Sequence, residues 1–156
     1  MSYDAWSGPA RALARAVDAA VRAASAGDGD AFADAMAGLR RAEPEVVAVL
    51  LGTITQDLLE RVHPDGLDSD DAEQVLAACE PAAAWFDGYR SDHVALALVS
   101  ALGMLDPEQA PPADIAAVTA HGLLLIATLL PAPAQLPGLV ESALRELHRA
   151  QTVEMP

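Results

Sequence analysis

The stretch Pro112–Leu130, PADIAAVTAHGLLLIATLL, is the longest nearly uncharged apolar run in the chain. Asp114 and His121 are its only side chains that can carry a charge. Pro112 and Asp114 precede the apolar part and Pro131 follows it, which is the order of residues that begins and ends a helix. A helix that is apolar on nearly every side must be surrounded on nearly every side. The stretch therefore predicts a central helix that the rest of the chain covers.

This helix is too short to predict a membrane span. Its uncharged part, Ile115–Leu130, contains 16 residues, whereas a helix that crosses a bilayer needs about 20. No group of arginines flanks either end to set an orientation in a membrane. Gly122 lies in the middle, where Gly costs about 1 kcal/mol of helix stability against Ala, and this predicts a close approach by another helix. We therefore expect a buried helix and no membrane contact.

The composition favours helices throughout the chain. It has 156 residues, of which 53% are hydrophobic and only 4% aromatic. Much of the hydrophobic fraction is Ala and Leu, the strongest helix formers. This length is sufficient for one core without disulfides or metal. We expect an all-α single domain over 1–156 with about seven helices, arranged as an orthogonal bundle or a short α–α superhelix, with a lead segment at 1–8 and a frayed tail at 151–156.

Gly and Pro residues divide the helical periodicity into segments. Pro9 and Pro44 stand at expected helix starts, and Pro81 is expected to restart a helix that carries the aromatic residues up to Tyr89. The expected helices cover 9–25, 30–41, 44–62, 69–89, 91–105, 112–130 and 137–150. Apolar residues recur every three or four positions in each segment, and these predict the core. The expected inward positions include Leu13, Val17, Val21, Phe32, Met36, Leu50, Ile54, Leu58, Cys79, Leu139, Val140, Leu144 and Leu147.

A faint internal repeat relates two of these segments. Segments 44–62 and 112–130 both begin with Pro, contain 19 residues and share apolar positions at an offset of 68 residues. Val47 then corresponds to Ile115, and Leu58 corresponds to Ile126. Two interpretations remain, a degenerate duplication of a three-helix unit or a chance similarity in a chain rich in Ala and Leu.

The charge balance narrows the classes of partner. A net charge of −14 with an isoelectric point near 4.3 disfavours nucleic acid and anionic membrane surfaces, because both need a basic face. A basic protein partner is compatible with this charge, although solubility alone explains it equally simply. The single cysteine, Cys79, permits neither an intramolecular disulfide nor a zinc site built on cysteines. The N-terminal residues lack the pattern of a signal peptide, so we expect a cytoplasmic protein.

The acidic residues between 65 and 73 are the nearest approach to a metal-binding pattern. A calcium loop requires Asp-x-Asp-x-Asp-Gly with a Glu at its twelfth position, and neither Asp65 nor Asp68 starts such a series. Asp68 or Ser69 instead fits the cap of a helix. The sequence contains no phosphate-binding Gly motif and no nucleophile motif, and it predicts no catalytic residue, metal or cofactor. The four histidines lie on four different segments, at His63, His93, His121 and His148.

Two classes of function remain open. The first is a non-catalytic helical protein that serves protein–protein interaction or scaffolding, which is favoured by abundant apolar surface without the signature of an active site. The second is a helical small-molecule-binding or enzymatic domain. Its pocket is expected in the only aromatic cluster, near Trp85, Tyr89, Arg90 and His93. A closed pocket with an Arg or His in its wall would favour this second class.

Self-association is the most specific expectation. Segments 91–105 and 112–130 are both apolar almost all round. A domain of this size can enclose one such helix, but the second would leave an apolar patch in water, which monomers rarely tolerate. We therefore expect a homodimer, because two-fold pairing is the commonest way to cover such a patch. The alternative is a monomer in which the two helices cover each other.

Overall fold

The structure, a computed structural model, describes residue 6, residues 8–104 and residues 114–153, with only the backbone for 151–153. These residues form seven α-helices and one short 3₁₀ helix, with no β-strand among them. The all-α single domain predicted from the sequence is therefore confirmed. The helices are α1 (Pro9–Ala26), α2 (Gly29–Leu39), α3 (Pro44–Val62), α4 (Ser69–Ala82), α5 (Ser91–Ala101), α6 (Ile115–Leu129) and α7 (Leu136–Val153), and the 3₁₀ helix spans Pro133–Gln135.

Local residues explain where the helices begin and end. After α1, Gly27 adopts a positive φ of 69°, and the N–H of Asp28 donates to the carbonyl of Ala23 at 2.9 Å. This Schellman arrangement satisfies the last carbonyls of the helix. Before α4, the Asp68 carboxylate accepts the N–H of Asp71 at 2.8 Å, and the Asp71 carboxylate accepts the N–H of Asp68 at 3.2 Å. The acidic run is therefore a capping box, as its cap assignment predicted.

The helix α6 lies at the centre of the fold. Its seven consecutive residues from Ala120 to Ile126 are buried, which requires neighbours on every side. A Cβ atom on Gly122 would lie 3.6 Å from Cδ1 of Leu51 in α3, which is an ordinary van der Waals contact, so α3 packs against this glycine without requiring it. Only the start of the helix faces outward, where Ile115 is 62% exposed.

Two groups of buried side chains meet along α6. The larger joins α6 to α1, α2, α3 and α7, and the smaller joins it to α4, α5 and the end of α3. Leu124 belongs to the larger group and the adjacent Leu125 to the smaller, so α6 connects both parts of the core. Each fully buried Leu contributes about 1.5–3 kcal/mol relative to leaving it exposed. The inward positions expected in the helices before and after α6 are buried, except Leu147 of α7, which is half-buried.

The aromatic segment differs from the sequence-based expectation. The helix predicted to restart at Pro81 does not form, because Pro81 lies in the last turn of α4 and turns follow from Ala83 onward. Ser91, whose residue type favours the cap position of α5, is instead the first residue of the helix. Arg90 occupies the N-cap position, and its side chain makes no capping hydrogen bond to the helix backbone.

The end of α5 also differs, because the helix stops at Ala101 rather than near 105. Gly103 has a φ of 72°, a conformation that ends a helix and that glycine adopts without strain. The N–H of Met104 then donates to the carbonyl of Val99 at 3.1 Å, which is again a Schellman hydrogen bond. Apolar side chains continue past this point in the sequence, so their pattern alone could not locate the helix end.

The helix α7 continues to Val153, so the tail expected from 151 onward is helical for three residues. Predictions for 1–5, 7, 105–113 and 154–156 lie outside the described residues.

The proposed repeat between α3 and α6 stays a hypothesis. Leu58 and Ile126 are both buried, but Val47 is 3% exposed whereas its counterpart Ile115 is 62% exposed. Among the described residues, no single helix is both long and apolar enough to cross a bilayer. The helix α6 and the segment Pro133–Ala150 pass that test only as a pair, and the pair is bent by 116°.

Candidate functional site

The connection between α4 and α5 carries the aromatic cluster. It folds as successive turns, in which Phe86 donates its N–H to Ala83 at 2.9 Å and Tyr89 donates its N–H to Phe86 at 3.2 Å. Trp85 covers the turn between α1 and α2, because a Cβ atom on Gly27 would lie 3.5 Å from Cδ1 of the indole. The connection is therefore held against two other parts of the fold.

Three aromatic rings form an edge-to-face group on α2. Phe32 lies 5.3 Å from Trp85 and 5.6 Å from Phe86 between ring centroids, and Trp85 lies 5.6 Å from Phe86. The interplanar angles of 61–76° match the favoured edge-to-face geometry, which contributes about 0.5–1.5 kcal/mol per pair beyond burial. These contacts give Trp85 and Phe86 a packing role.

His121 of α6 lies beside this group and is only 1% exposed. Its Nδ1 is 2.6 Å from the carbonyl oxygen of Ala117, one turn earlier in the helix. Because a carbonyl oxygen only accepts hydrogen bonds, Nδ1 carries the proton. The other nitrogen, Nε2, accepts the backbone N–H of Arg90 at 2.9 Å. The imidazole is therefore neutral, uses both nitrogens and fastens the start of α5 to α6.

Burial lowers the pKa of His121 below its ordinary value, because the surroundings disfavour the charged imidazolium. The hydrogen bond to Ala117 opposes this shift without cancelling it. Three rings surround the imidazole, with centroids of Phe86 at 5.7 Å, Tyr89 at 5.8 Å and His93 at 4.9 Å. The surroundings of His121 thus favour its neutral form.

Three polar atoms of this cluster are buried and have no hydrogen-bond partner among the described residues. They are Nε1 of Trp85, the hydroxyl of Tyr89 and Nδ1 of His93. Burial raises the pKa of Tyr89, so the hydroxyl keeps its proton and can donate. Buried polar atoms are nearly always paired in proteins, and three together mark unused hydrogen-bonding capacity.

The guanidinium of Arg90 takes no part in the cluster. Its Nε and one terminal nitrogen donate to the two carboxylate oxygens of Asp92, each at 3.1 Å, and both side chains are exposed. This hydrogen bonding lowers the pKa of Asp92. Arg90 therefore contributes to the site through its backbone N–H and not through its charge.

The four residues predicted as ligand or partner contacts lie in one region of the structure, at Trp85, Tyr89, Arg90 and His93. The central residue, His121, was not predicted as a site residue. It lies 31 positions from Arg90 in the sequence, so only the packing of α6 brings them together. The one available signal was a single ionisable side chain in the middle of an apolar run.

No three His, Cys, Asp or Glu side chains in the described part of the chain are grouped closely enough to hold a metal ion. His93 and His121 are neighbours, but both nitrogens of His121 already have backbone partners. Cys79 is fully buried, and this burial raises the pKa of its thiol, so it is a poor nucleophile. The cluster offers hydrogen bonds and aromatic surface instead.

A different kind of surface lies on the outer side of α5. The 11 consecutive residues from Val94 to Met104 carry no charge, yet only Val94 and Leu98 of the helix are buried. Val99 is 36% exposed, and Met104 is 73% exposed just beyond the helix. We define the α5 face by Leu96, Val99, Ser100 and Met104.

A narrow groove lies where α3, α5 and α6 meet. Its volume is about 60 Å³, and small residues line most of it, including Gly52, Ala97, Ala101 and Gly122. A Cβ atom on Gly52 would lie 4.0 Å from the Cα atom of Ala101, so the backbones approach closely here. Val49 of α3 is one residue from the lining residue Ala48 and is 52% exposed.

A larger cavity of about 240 Å³ lies between the end of α2 and the starts of α3 and α6, and we call it the α2–α6 cavity. The buried side chains of Met36, Leu39 and Val47 form part of its wall. Ile115 and Thr119 of α6 line it as well, and Arg40 is the only charged residue in the part of its lining that the structure describes.

Comparisons of the chain with protein families, curated proteins and solved structures yield no match.

Proposed function

We propose that this chain is a non-catalytic interaction protein and that its primary partner is a second copy of itself. The observation that carries the proposal is the uncharged, half-exposed α5 face in a chain whose net charge is −14. Monomeric proteins rarely expose contiguous apolar patches, and such patches commonly mark interaction sites.

The charge explains why this face suits a second copy. Two chains of the same strongly negative charge repel each other, so their contact must avoid acidic side chains at its centre. The segment from Val94 to Met104 is free of charge, whereas Asp92 lies just before it. Pairing through the α5 face would leave the acidic residues at the rim, where water still solvates them.

The shape of the region supports the same partner. Val99 and Met104 of the α5 face are exposed side chains, and Ser100 of the same face lines the small-residue groove between α3 and α5. Around a two-fold axis, the same patch of each copy forms the interface. The exposed side chains of one copy can then pack into the groove of the other, and the reverse contact forms at the same time. An interface of ordinary stability buries about 800 Å² per partner, and α5 with the adjacent part of α3 forms its apolar centre.

Sedimentation equilibrium between about 1 and 100 μM tests this proposal. We expect a mass that rises from that of one chain toward twice that value, because dilution favours separate chains. Val99→Glu places a charge at the centre of the α5 face and should shift the transition to at least tenfold higher concentration.

The matched control is Val62→Glu, which adds the same charge at an exposed valine at the end of α3. Ten residues of helix, about 15 Å, separate Val62 from the groove residue Gly52. This variant should associate as the wild type does. A wild-type mass of 16.2 kDa that stays constant over the whole range would contradict self-association.

A second candidate function is small-molecule binding at the aromatic cluster. The unpaired atoms of Trp85, Tyr89 and His93 favour it, because a polar ligand would complete their hydrogen bonding. The indole N–H resonance of Trp85 provides the test in a screen of small polar compounds. A true ligand should shift this resonance, and its affinity should fall in Tyr89→Phe, which removes only the hydroxyl. Equal affinity in that variant would count against this site.

A further inference from the structure

We propose that the α2–α6 cavity binds a small amphipathic anion, with an aliphatic chain inside the cavity and a carboxylate at Arg40. The inference is independent of the proposed self-association and concerns a region that the sequence did not mark. It depends on the lining of the cavity, on the position of Arg40 and on the volume.

The lining separates an apolar interior from one cationic group. Met36, Leu39 and Val47 are buried side chains that present hydrocarbon and thioether surface to the cavity. Among the described lining residues, Thr119 supplies the only side-chain hydroxyl and Arg40 supplies the only charge. Ligand sites in proteins commonly combine such an apolar lining with one or two polar groups that orient the ligand.

Arg40 has no ion-pair or hydrogen-bond partner for its guanidinium among the described residues, although the chain carries 23 acidic residues. Its backbone is held in place at the end of α2, where its N–H donates to the carbonyl of Met36 at 3.2 Å. An arginine with free donors at the mouth of an apolar cavity fits a carboxylate, which accepts two parallel hydrogen bonds from a guanidinium. The overall negative charge opposes anions elsewhere on the surface, so this position is selective.

The volume sets the size of the ligand. The cavity of about 240 Å³ holds roughly eight groups that each fill the volume of a water molecule, about 30 Å³. This matches an aliphatic chain of octanoate length. Ile115 lies at the edge of the cavity with 62% of its surface exposed, and such a chain would cover part of it.

Calorimetric titration with octanoate, and with octanol as the neutral analogue, tests the inference. We expect octanoate to bind with a dissociation constant below about 1 mM, since both the apolar chain and the charge contribute. Octanol should bind about three- to fivefold more weakly, which is the usual effect of losing one exposed ion pair. Methyl resonances of Leu39, Val47 and Ile115 should shift on addition of octanoate and locate it in the cavity.

Two arginine variants distinguish binding in the cavity from general electrostatic attraction of the anion to the protein, and a third variant fills the cavity. Arg40→Gln should weaken octanoate binding about three- to fivefold and leave octanol binding unchanged. Arg41→Gln removes the same charge from the neighbouring residue, which does not line the cavity, and should leave both affinities unchanged. Ala116→Leu adds bulk at an exposed lining residue and should abolish binding of both ligands.

Three outcomes would overturn the inference. The first is the absence of octanoate binding up to about 5 mM to the folded protein. The second is an equal loss of affinity in Arg40→Gln and Arg41→Gln, which would indicate a response to net charge alone. The third is octanol binding as tight as octanoate binding, which would show that Arg40 does not recognise the carboxylate.

Discussion

At the scale of single residues, His121 couples the stability of the fold to pH. Its neutral form accepts the N–H of Arg90 through Nε2, and a proton at that atom would replace an acceptor with a donor facing another donor. The backbone N–H of Arg90 would then lose its partner. Burial also lowers the pKa of His121, because the surroundings disfavour the charged imidazolium.

We predict that the free energy of unfolding decreases as the pH falls below about 6.5 because of His121. Above the unfolded-state pKa of about 6.5, the imidazole is neutral in both states and the full stability is present. Below it, the unfolded chain binds a proton that the folded chain resists, so stability falls until the lowered folded pKa is reached. The slope from this one group is at most about 1.4 kcal/mol per pH unit.

Urea denaturation at several pH values between 5 and 8 measures this effect as the difference between wild type and His121→Gln. The variant cannot titrate, so the difference in slope isolates His121. Identical slopes in the wild type and His121→Gln would disprove the coupling.

Gly27 and Gly29 lie on either side of the turn between α1 and α2, but only Gly27 has a backbone conformation that favours glycine. Gly27 has a φ of 69°, so Gly27→Ala should destabilise the protein by about 1–2 kcal/mol. Gly29 is the first residue of α2 with nothing within 4 Å of an added Cβ atom, so Gly29→Ala should stabilise it by about 0.4–1 kcal/mol. Midpoints of urea unfolding with unchanged m values provide the comparison. Similar shifts for both variants would argue against the left-handed conformation of Gly27.

Residue-level roles were predictable from the sequence where they depend on neighbours in the chain. The capping role of Asp68 depends on Asp71, three positions further along the chain. The burial of Cys79 was predictable from the helical spacing of the apolar residues around it. The role of His121 depends on a connection 31 residues away, and local patterns contain no information about that contact. The aromatic segment was misassigned for a related reason, since Phe32 and His121 hold Phe86 in a turn through contacts between distant segments.

At the scale of helices, α6 connects two groups of core side chains, and its residues should therefore be the most sensitive in the molecule. Leu125 is fully buried in the smaller group together with Val75, Val94 and Leu98. Truncating it would leave a cavity between α4, α5 and α6.

We predict that Leu125→Ala destabilises the protein by about 2–5 kcal/mol, the usual range for a buried leucine. Leu96→Ala on the half-buried side of α5 makes the same chemical change and should cost less than half as much. Chemical denaturation at micromolar or lower protein concentration, where association contributes least, measures both. Equal costs would indicate that α6 is not the central helix.

Helix boundaries were predictable where residues such as Pro mark the beginning or the end of the helix in the sequence. The helix α3 runs from Pro44 to Val62 as expected, because Pro begins it and a His-Pro turn follows it. The end of α5 was misplaced because its apolar residues continue beyond Gly103, although glycine is itself a common residue at the end of a helix. Which helix would be central was predictable, because 112–130 is the longest nearly uncharged apolar run in the chain.

At the scale of the whole molecule, the charge of −14 sets how association responds to salt. We predict that raising the salt concentration from about 20 to 500 mM strengthens self-association several-fold, because ions screen the repulsion between two acidic copies. Sedimentation equilibrium at both concentrations measures the change. A basic protein partner would show the opposite dependence, so weaker association at high salt would contradict a contact centred on uncharged side chains.

Cys79 allows the opening of the core to be timed chemically. The chain has one thiol, it is fully buried against α6, and the pKa of that thiol is raised. A thiol-specific reagent can therefore react only after α4 has separated from α6, and each molecule reacts once. At low reagent concentration the labelling rate reports the population of opened molecules, and at saturating reagent it reports the rate of opening itself. The same measurement on intact cells would report how often this core opens in its natural surroundings, without purification.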